Sequence, residues 1–348
     1  MPLVKAIAVA RFPISNTEDA DWAVGEIRHV PSYLLAKYQA HPTVFTVLDA
    51  TDNAYVLRRP PLGHVLASAH DMGREHCIIA ALRSTPVPVA PALGYCDDLD
   101  VNGAPFYVMA FVRGHVIRDV AAANALLTPT ARWNAGMSLA ETMAAIHAVD
   151  VDAVGLGDLG RKDGYLARQL KRWYGQWNAQ KTRELPAVDR AHELLSKHLP
   201  EQRGTAIVHG DYRLDNCMVD DDGNVIAVLD WEICTLGDPM ADVGLLMVYH
   251  TGPGDEPSAW GGQATSAPGF PNRADLLARY AEVSGRDVGN VDAYTGFALW
   301  KLACILEGVY ARYLGGALGQ RDPKELEPFK LQVESAAERA LEYAERLT

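Results

Sequence analysis

Apolar positions fall in short runs over the first hundred or so residues and recur at helical spacing after that. Residues 42–49, PTVFTVLD, and 54–59, AYVLRR, are rich in β-branched and aromatic side chains and flank Thr51-Asp52-Asn53, which predicts a hairpin. Alternation along the second run puts Arg58 and Arg59 on opposite faces, so either could be the inward cation. Residues 67–82 carry Cys77, Ile78, Ala81 and Leu82 at helical spacing and end at the proline-punctuated PVPVAP. Two further strands are predicted at 92–96 and 106–112, FYVMAFV, about a turn at 97–103.

From Gly114 onward long helical patterns take over. Thr128-Pro129 reads as a cap followed by proline at the first helical position, and Leu139, Met143 and Ile146 give that helix one buried face. Residues 165–179 are amphipathic, with Leu166, Leu170, Trp173 and Trp177 on a stripe that reads as core packing. Helical stretches follow at roughly 275–284, 290–314 and 323–347. The pattern predicts an α+β chain of two lobes: a β-rich lobe over 1–112 and a larger, mainly helical lobe over 113–348, joined near 112–114.

Composition narrows the partners. The 348 residues carry 44 acidic against 32 basic side chains, a formal net charge of -12, which argues against a nucleic-acid or anionic-membrane surface. Apolar runs are too short to cross a bilayer and the N-terminal run is too short for a secretory core, so a cytoplasmic location is expected. Five cysteines, odd in number and without a CxxC, indicate neither a disulfide framework nor a zinc site.

The chemistry concentrates in residues 207–230, IVHGDYRLDNCMVDDDGNVIAVLD. An H-x-D-x-x-x-x-N loop places a carboxylate, Asp211, where it can accept a hydroxyl proton, and an amide, Asn216, where its oxygen can ligate magnesium. A hairpin through DDDGN then returns a second carboxylate, Asp230, towards the same place. Each residue alone has an ordinary reading as a turn or cap, and His209 as a structural ring bonded to backbone. The spacing, the hairpin and the upstream β-rich lobe together point to phosphoryl transfer.

HGDYRLDN followed by LDWE resembles the aminoglycoside phosphotransferase and choline kinase group, and YLARQLKRW, DWEICTLGDPMADVG, GFPNRADLLARYAEVSG and KLACILEGVYARY resemble its branch that includes kinase-like domains fused to acyl-CoA dehydrogenases. The resemblance runs over roughly residues 30–345 and is most specific from 165 onward. It implies a protein-kinase-like fold, ATP and Mg2+ as cofactors, and a small hydroxylated acceptor such as a hydroxyacyl or other lipophilic metabolite or an antibiotic. It makes Asp211 the catalytic base, Asn216 and Asp230 the magnesium ligands, and Asp242 a buried support for the catalytic loop. Arg58, where relatives keep lysine, becomes the phosphate cation with Glu75 as its partner. Met109 would back the nucleotide pocket, with the backbone of Ala110 and Val112 reading adenine. Arg213 is placed either to neutralise the transferred phosphoryl group or to pair with Asp215 or Asp242. The acceptor wall is expected within 151–200 and 232–330, where Glu232, Asp238, Asp255 and Glu256 mix with Tyr165, Trp173, Tyr249 and Trp260. One departure stands out: the phosphate-covering stretch 37–47, KYQAHPTVFTV, has Ala40-His41 in place of Ser-Asn and lacks glycine. That departure keeps open a kinase-like protein that binds nucleotide or an acyl-type ligand without turnover.

Overall fold

The computed structural model describes residues 44–48, 54–60, 71–255, 260, 263–316 and 323–348. Residues 37–43 of the stretch 37–47 expected to cover phosphate, the expected turn at 51–53 and Glu256 lie outside the described residues. β1 (Val44–Leu48), β2 (Ala54–Arg58), β3 (Ala92–Cys96) and β4 (Phe106–Ala110) form an antiparallel sheet of order β1-β2-β4-β3. Helix α1 (Met72–Leu82) packs against β3 and β4. It opens at Asp71, whose carboxylate accepts from the Arg74 N–H at 2.9 Å. Its buried stripe is Met72, Glu75, Ile78, Ile79 and Leu82, an apolar face with one carboxylate in it. A charge at such a position needs a partner.

The predicted turn at 97–103 contains a short helix, α2 (Leu99–Asn102), capped by Asp98 and closed by Gly103 at φ 73°. The Asp and Gly that signal a turn serve here as helix caps, which sequence pattern alone does not separate.

The remaining chain is mainly helical. In order come α3 (Val120–Leu126), α4 (Pro129–His147), α5 (Tyr165–Gln180), α6 (Pro186–Lys197), α7 (Met240–Tyr249), α8 (Arg273–Ser284), α9 (Val291–Leu314) and α10 (Pro323–Glu345). Helix α9 packs on α7, α5, α6 and α10, while α4 packs on α8. All ten residues of α7 are buried, so it is a core helix, and Asp242 is its one charged residue. Between α6 and α7 lie two short hairpin-like pairs, β5 (Ala206–Val208) with β8 (Thr235–Gly237) and β6 (Cys217–Val219) with β7 (Val225–Val228). One apolar cluster runs from Ile78 and Tyr107 to Trp300, so sheet and helices share a core. No helix among the described residues is long and apolar enough to cross a membrane.

Candidate active site

Strand β5 ends at Val208, and the chain turns through Gly210 at φ 84° to present Asp211. That turn is held from below by Asp242 on α7, whose carboxylate accepts the N–H groups of His209 (2.6 Å) and Gly210 (2.8 Å). Burial alone would raise the Asp242 pKa, but its contact with His147 and the Gly210 amide outweigh it and hold it below the usual carboxylate value. His147 in turn meets the Tyr280 hydroxyl at 2.8 Å, tying α4 and α8 to the same support.

His209 takes the structural role. Its Nδ1 accepts the Asp211 N–H at 3.3 Å, which leaves Nε2 to donate to the Leu229 carbonyl at 2.9 Å, and its ring lies 4.8 Å from that of Trp231. The histidine thus joins the loop carrying Asp211 to the strand end carrying Asp230. Asn216 closes the loop by donating from Nδ2 to the Asp211 carbonyl (2.7 Å) and to Asp211 Oδ2 (2.8 Å). With that nitrogen committed, Oδ1 is the Asn216 atom a cation would use. The Leu229 N–H donates to the Asn216 carbonyl at 2.8 Å, which sets the next residue, Asp230, beside the loop. Asp230 is at φ 67°, the one non-glycine residue with positive φ among those described. An aspartate held in the left-handed region carries backbone strain, which clusters at functional sites.

Arg58 at the end of β2 reaches this group from the sheet. Its guanidinium lies 3.0 Å from Glu75 Oε1, 2.9 Å from Asp230 Oδ1 and 3.4 Å from Glu232 Oε2. Glu75 meets that cation as a charge rather than through an aligned hydrogen bond. Burial pushes the Glu75 pKa up to about 7, with Arg58 pulling it down and Asp230 and Glu232 pushing it further up. Arg74, one residue earlier on α1, donates to the carbonyls of Glu232 (3.2 Å) and Cys234, clamping the helix to the segment after Asp230. Sequence pattern gave no sign of this clamp, because its acceptors are backbone atoms.

Arg213 lies 2.9 Å from Asp215 and 3.6 Å from Asp211, and its guanidinium covers the Tyr249 ring at 4.7 Å. Burial works against its charge, and Asp211 and Asp215 outweigh it, so its pKa stands above the usual arginine value. Its ion-pair partner is Asp215 rather than Asp242, whose carboxylate is taken by the loop amides.

Met109 and Ala110 lie in β4 opposite Val56 and Tyr55. The Ala110 N–H donates to the Pro91 carbonyl at 2.9 Å. Val112 packs on a small apolar cluster of Val116, Met218 and Ala227, edged by Ile226 and Leu229. This cluster lies between residues 112–116, after β4, and the β6–β7 pair.

No group of three or more His, Cys, Asp or Glu among the described residues forms a metal cluster. Asp211, Asn216 and Asp230 offer only oxygen donors, and few of them. That set suits a hard cation completing its shell with phosphate and water, and it does not suit zinc.

The chain matches the APH model, described as the phosphotransferase enzyme family, over residues 36–283. It is 36% identical over 282 residues to the mouse acyl-CoA dehydrogenase family member 10, covering 80% of this chain and 26% of that protein, so the chain spans about a quarter of that relative's length. Among solved structures, an aminoglycoside phosphotransferase assignment from Ralstonia eutropha JMP134 superposes with a TM-score of 0.74 at 34% identity, over 88% of this chain and 90% of that one. A spectinomycin phosphotransferase in complex with ADP and spectinomycin shares the fold at a TM-score of 0.55 and 13% identity, over 94% of each chain. With the family match spanning the sheet, the Asp211 loop and the Asp230 strand end, this chain belongs to the APH phosphotransferase enzyme family and has its kinase-like, two-lobed fold.

Proposed function

We propose that the chain transfers the γ-phosphoryl group of ATP to a hydroxyl of a small molecule, with Mg2+ held by Asn216 and Asp230. The observation that carries this reading is convergence: Asn216 lies 2.8 Å from Asp211 Oδ2, and Asp230 lies 2.9 Å from an Arg58 that also reaches Glu75 at 3.0 Å. Three distant segments thus bring a base, a cation ligand set and a phosphate cation to one place.

Asp211 is 27% exposed, enough to meet an acceptor, and its Oδ2 is oriented by the Asn216 amide. It positions the hydroxyl and takes its proton as the oxygen attacks phosphorus. Arg58 binds phosphate oxygens by exchanging its Asp230 contact for them, while Glu75 keeps the guanidinium in place. Asn216 and Asp230 would hold the magnesium ion, which would supply positive charge to the reacting phosphates. The adenine lies on the platform of Met218, Ile226 and Leu229, with its polar edge on the Ala110 carbonyl and Val112 amide. On this reading the lobes join near 112–114, beside that edge. The ADP held by the spectinomycin phosphotransferase neighbour supports a purine nucleotide in this position. Such catalysis is positioning and electrostatics, which is what the hydrogen-bonded loop supplies.

The test is ADP release across a panel of hydroxylated acceptors. Wild type is expected to release ADP only with an acceptor present, and Asp211→Ala to lose about a hundredfold or more in turnover while still binding MgATP. Equal turnover in the variant, or no acceptor dependence in wild type, overturns the reading.

A further inference from the structure

Arg74 stands in the first turn of α1, where the positive end of the helix dipole disfavours a cation. The nearest acid along the helix, Asp71, has a carboxylate oxygen committed to the Arg74 N–H at 2.9 Å, and among the described residues the guanidinium forms no ion pair. It is half-buried and turned across the cleft onto three carbonyls, those of Glu232 (3.2 Å), Leu159 (3.4 Å) and Cys234. Leu159 lies in the chain leading to α5, and Glu232 and Cys234 lie between β7 and β8. An arginine at an unfavourable helix position, filled by carbonyls from two distant segments, is placed for what it holds together.

What it holds is the neighbourhood of Arg58. Glu75 follows Arg74 about 100° further round the helix and meets the Arg58 guanidinium at 3.0 Å. Residue 232 is gripped at both ends, its carbonyl by Arg74 and its carboxylate, 3.4 Å away, by Arg58. These contacts close a ring from Arg58 to Glu75, along α1 to Arg74, across to Glu232 and back to Arg58. Glu75 is buried and has no aligned hydrogen bond of its own, so its place beside Arg58 depends on where α1 sits. In its own lobe α1 packs on β3 and β4, and Arg74 ties its first turn to the other lobe.

We infer that Arg74 is a positioning residue for phosphate binding: its clamp fixes α1 so that Glu75 keeps Arg58 aimed at the nucleotide phosphates. The inference rests on the nucleotide reading above and adds a residue that acts only through Glu75 and Arg58. Its effect is therefore confined to the phosphates, because the proposed adenine platform of Met218, Ile226 and Leu229 belongs to a separate cluster. Lysine would keep the charge without the planar fork that reaches several acceptors at once.

Calorimetry of adenosine and of a non-hydrolysable ATP analogue with Mg2+ tests this on wild type, Arg74→Ala, Arg74→Lys, Glu75→Gln and the double variant Arg74→Ala with Glu75→Gln. Arg74→Ala is expected to weaken the analogue about tenfold, the order of one charge-assisted hydrogen bond, and to leave adenosine within about twofold. Arg74→Lys is expected to lose at least about threefold. In the Glu75→Gln background, Arg74→Ala should cost less than about twofold more, since both changes remove the same support. Where Arg74→Ala melts too low to titrate, Arg74→Lys takes its place in every comparison. Undiminished analogue binding in Arg74→Ala, adenosine weakened as much as the analogue, full affinity in Arg74→Lys, or fully additive losses in the double variant overturns the inference alone. A wild type that binds the analogue no more tightly than adenosine overturns the nucleotide reading, and this inference with it.

Discussion

The two sides of the cleft are built on opposite electrostatic plans. Below Asp211, the buried Asp242 has its oxygens matched to two loop amides and His147, and every contact is short or enclosed. Around Arg58, three carboxylates, Glu75, Asp230 and Glu232, crowd one guanidinium, and the most buried of them is pushed up to about 7. The first arrangement is a closed network that fixes geometry. The second holds excess negative charge where a divalent cation and a phosphate would enter, so its balance depends on what binds. Rigidity is thus concentrated under Asp211, and the unbalanced charge gathers around Arg58, where the proposed cation and phosphates would enter.

Breaking the closed side has the larger effect on stability. Asp242→Ala leaves the His209 and Gly210 amides without their buried acceptor and is expected to cost roughly 3 to 5 kcal/mol, measured by urea unfolding. Turnover should fall with it, because the same amides set the turn that presents Asp211. A loss below about 1 kcal/mol would mean that the network is not the support described.

The open side is sharpened by pH, with a smaller effect. Glu75 has a folded pKa of about 7, raised from an ordinary 4.5, so the folded protein binds the proton more tightly than the unfolded chain. Its contribution to stability is therefore complete below the unfolded value and is lost as pH climbs through about 7. Between pH 5 and 8, wild-type Tm is expected to drop by a few degrees relative to Glu75→Gln, on the order of 2 to 4 °C per kcal/mol. Parallel Tm curves for the two proteins would show that Glu75 does not titrate in this range. In the same window Glu75 gains the charge that holds Arg58, so nucleotide affinity should rise as stability declines.

Legibility in the sequence follows the same division. The loop from His209 to Asn216 and the return to Asp230 were readable because each role needs a particular residue type at a fixed spacing, and the structure brings them within hydrogen-bonding reach. Strand alternation left Arg58 and Arg59 open, and it is Arg58 whose guanidinium reaches Glu75 and Asp230. Glu75 entered only as the partner that the family resemblance implies for Arg58, and the structure places it on the buried face of α1 with Ile78, Ile79 and Leu82. What remained hidden depends on long-range meetings. Arg74 bonds carbonyls more than 150 residues away. The commitment of Asp238 and Asp255 to Tyr294 and Arg273 is likewise a fact of packing, which no local signal carries.

The central claim is that Asp230 and Asn216 hold a divalent cation for nucleotide phosphates, and calorimetry of ATP binding tests it most directly. Wild type titrated with ATP is expected to bind at least tenfold more tightly with Mg2+ than with EDTA, and Asp230→Asn is expected to lose that dependence while remaining folded. Magnesium-independent binding in wild type, or an undiminished magnesium effect in Asp230→Asn, would contradict the account.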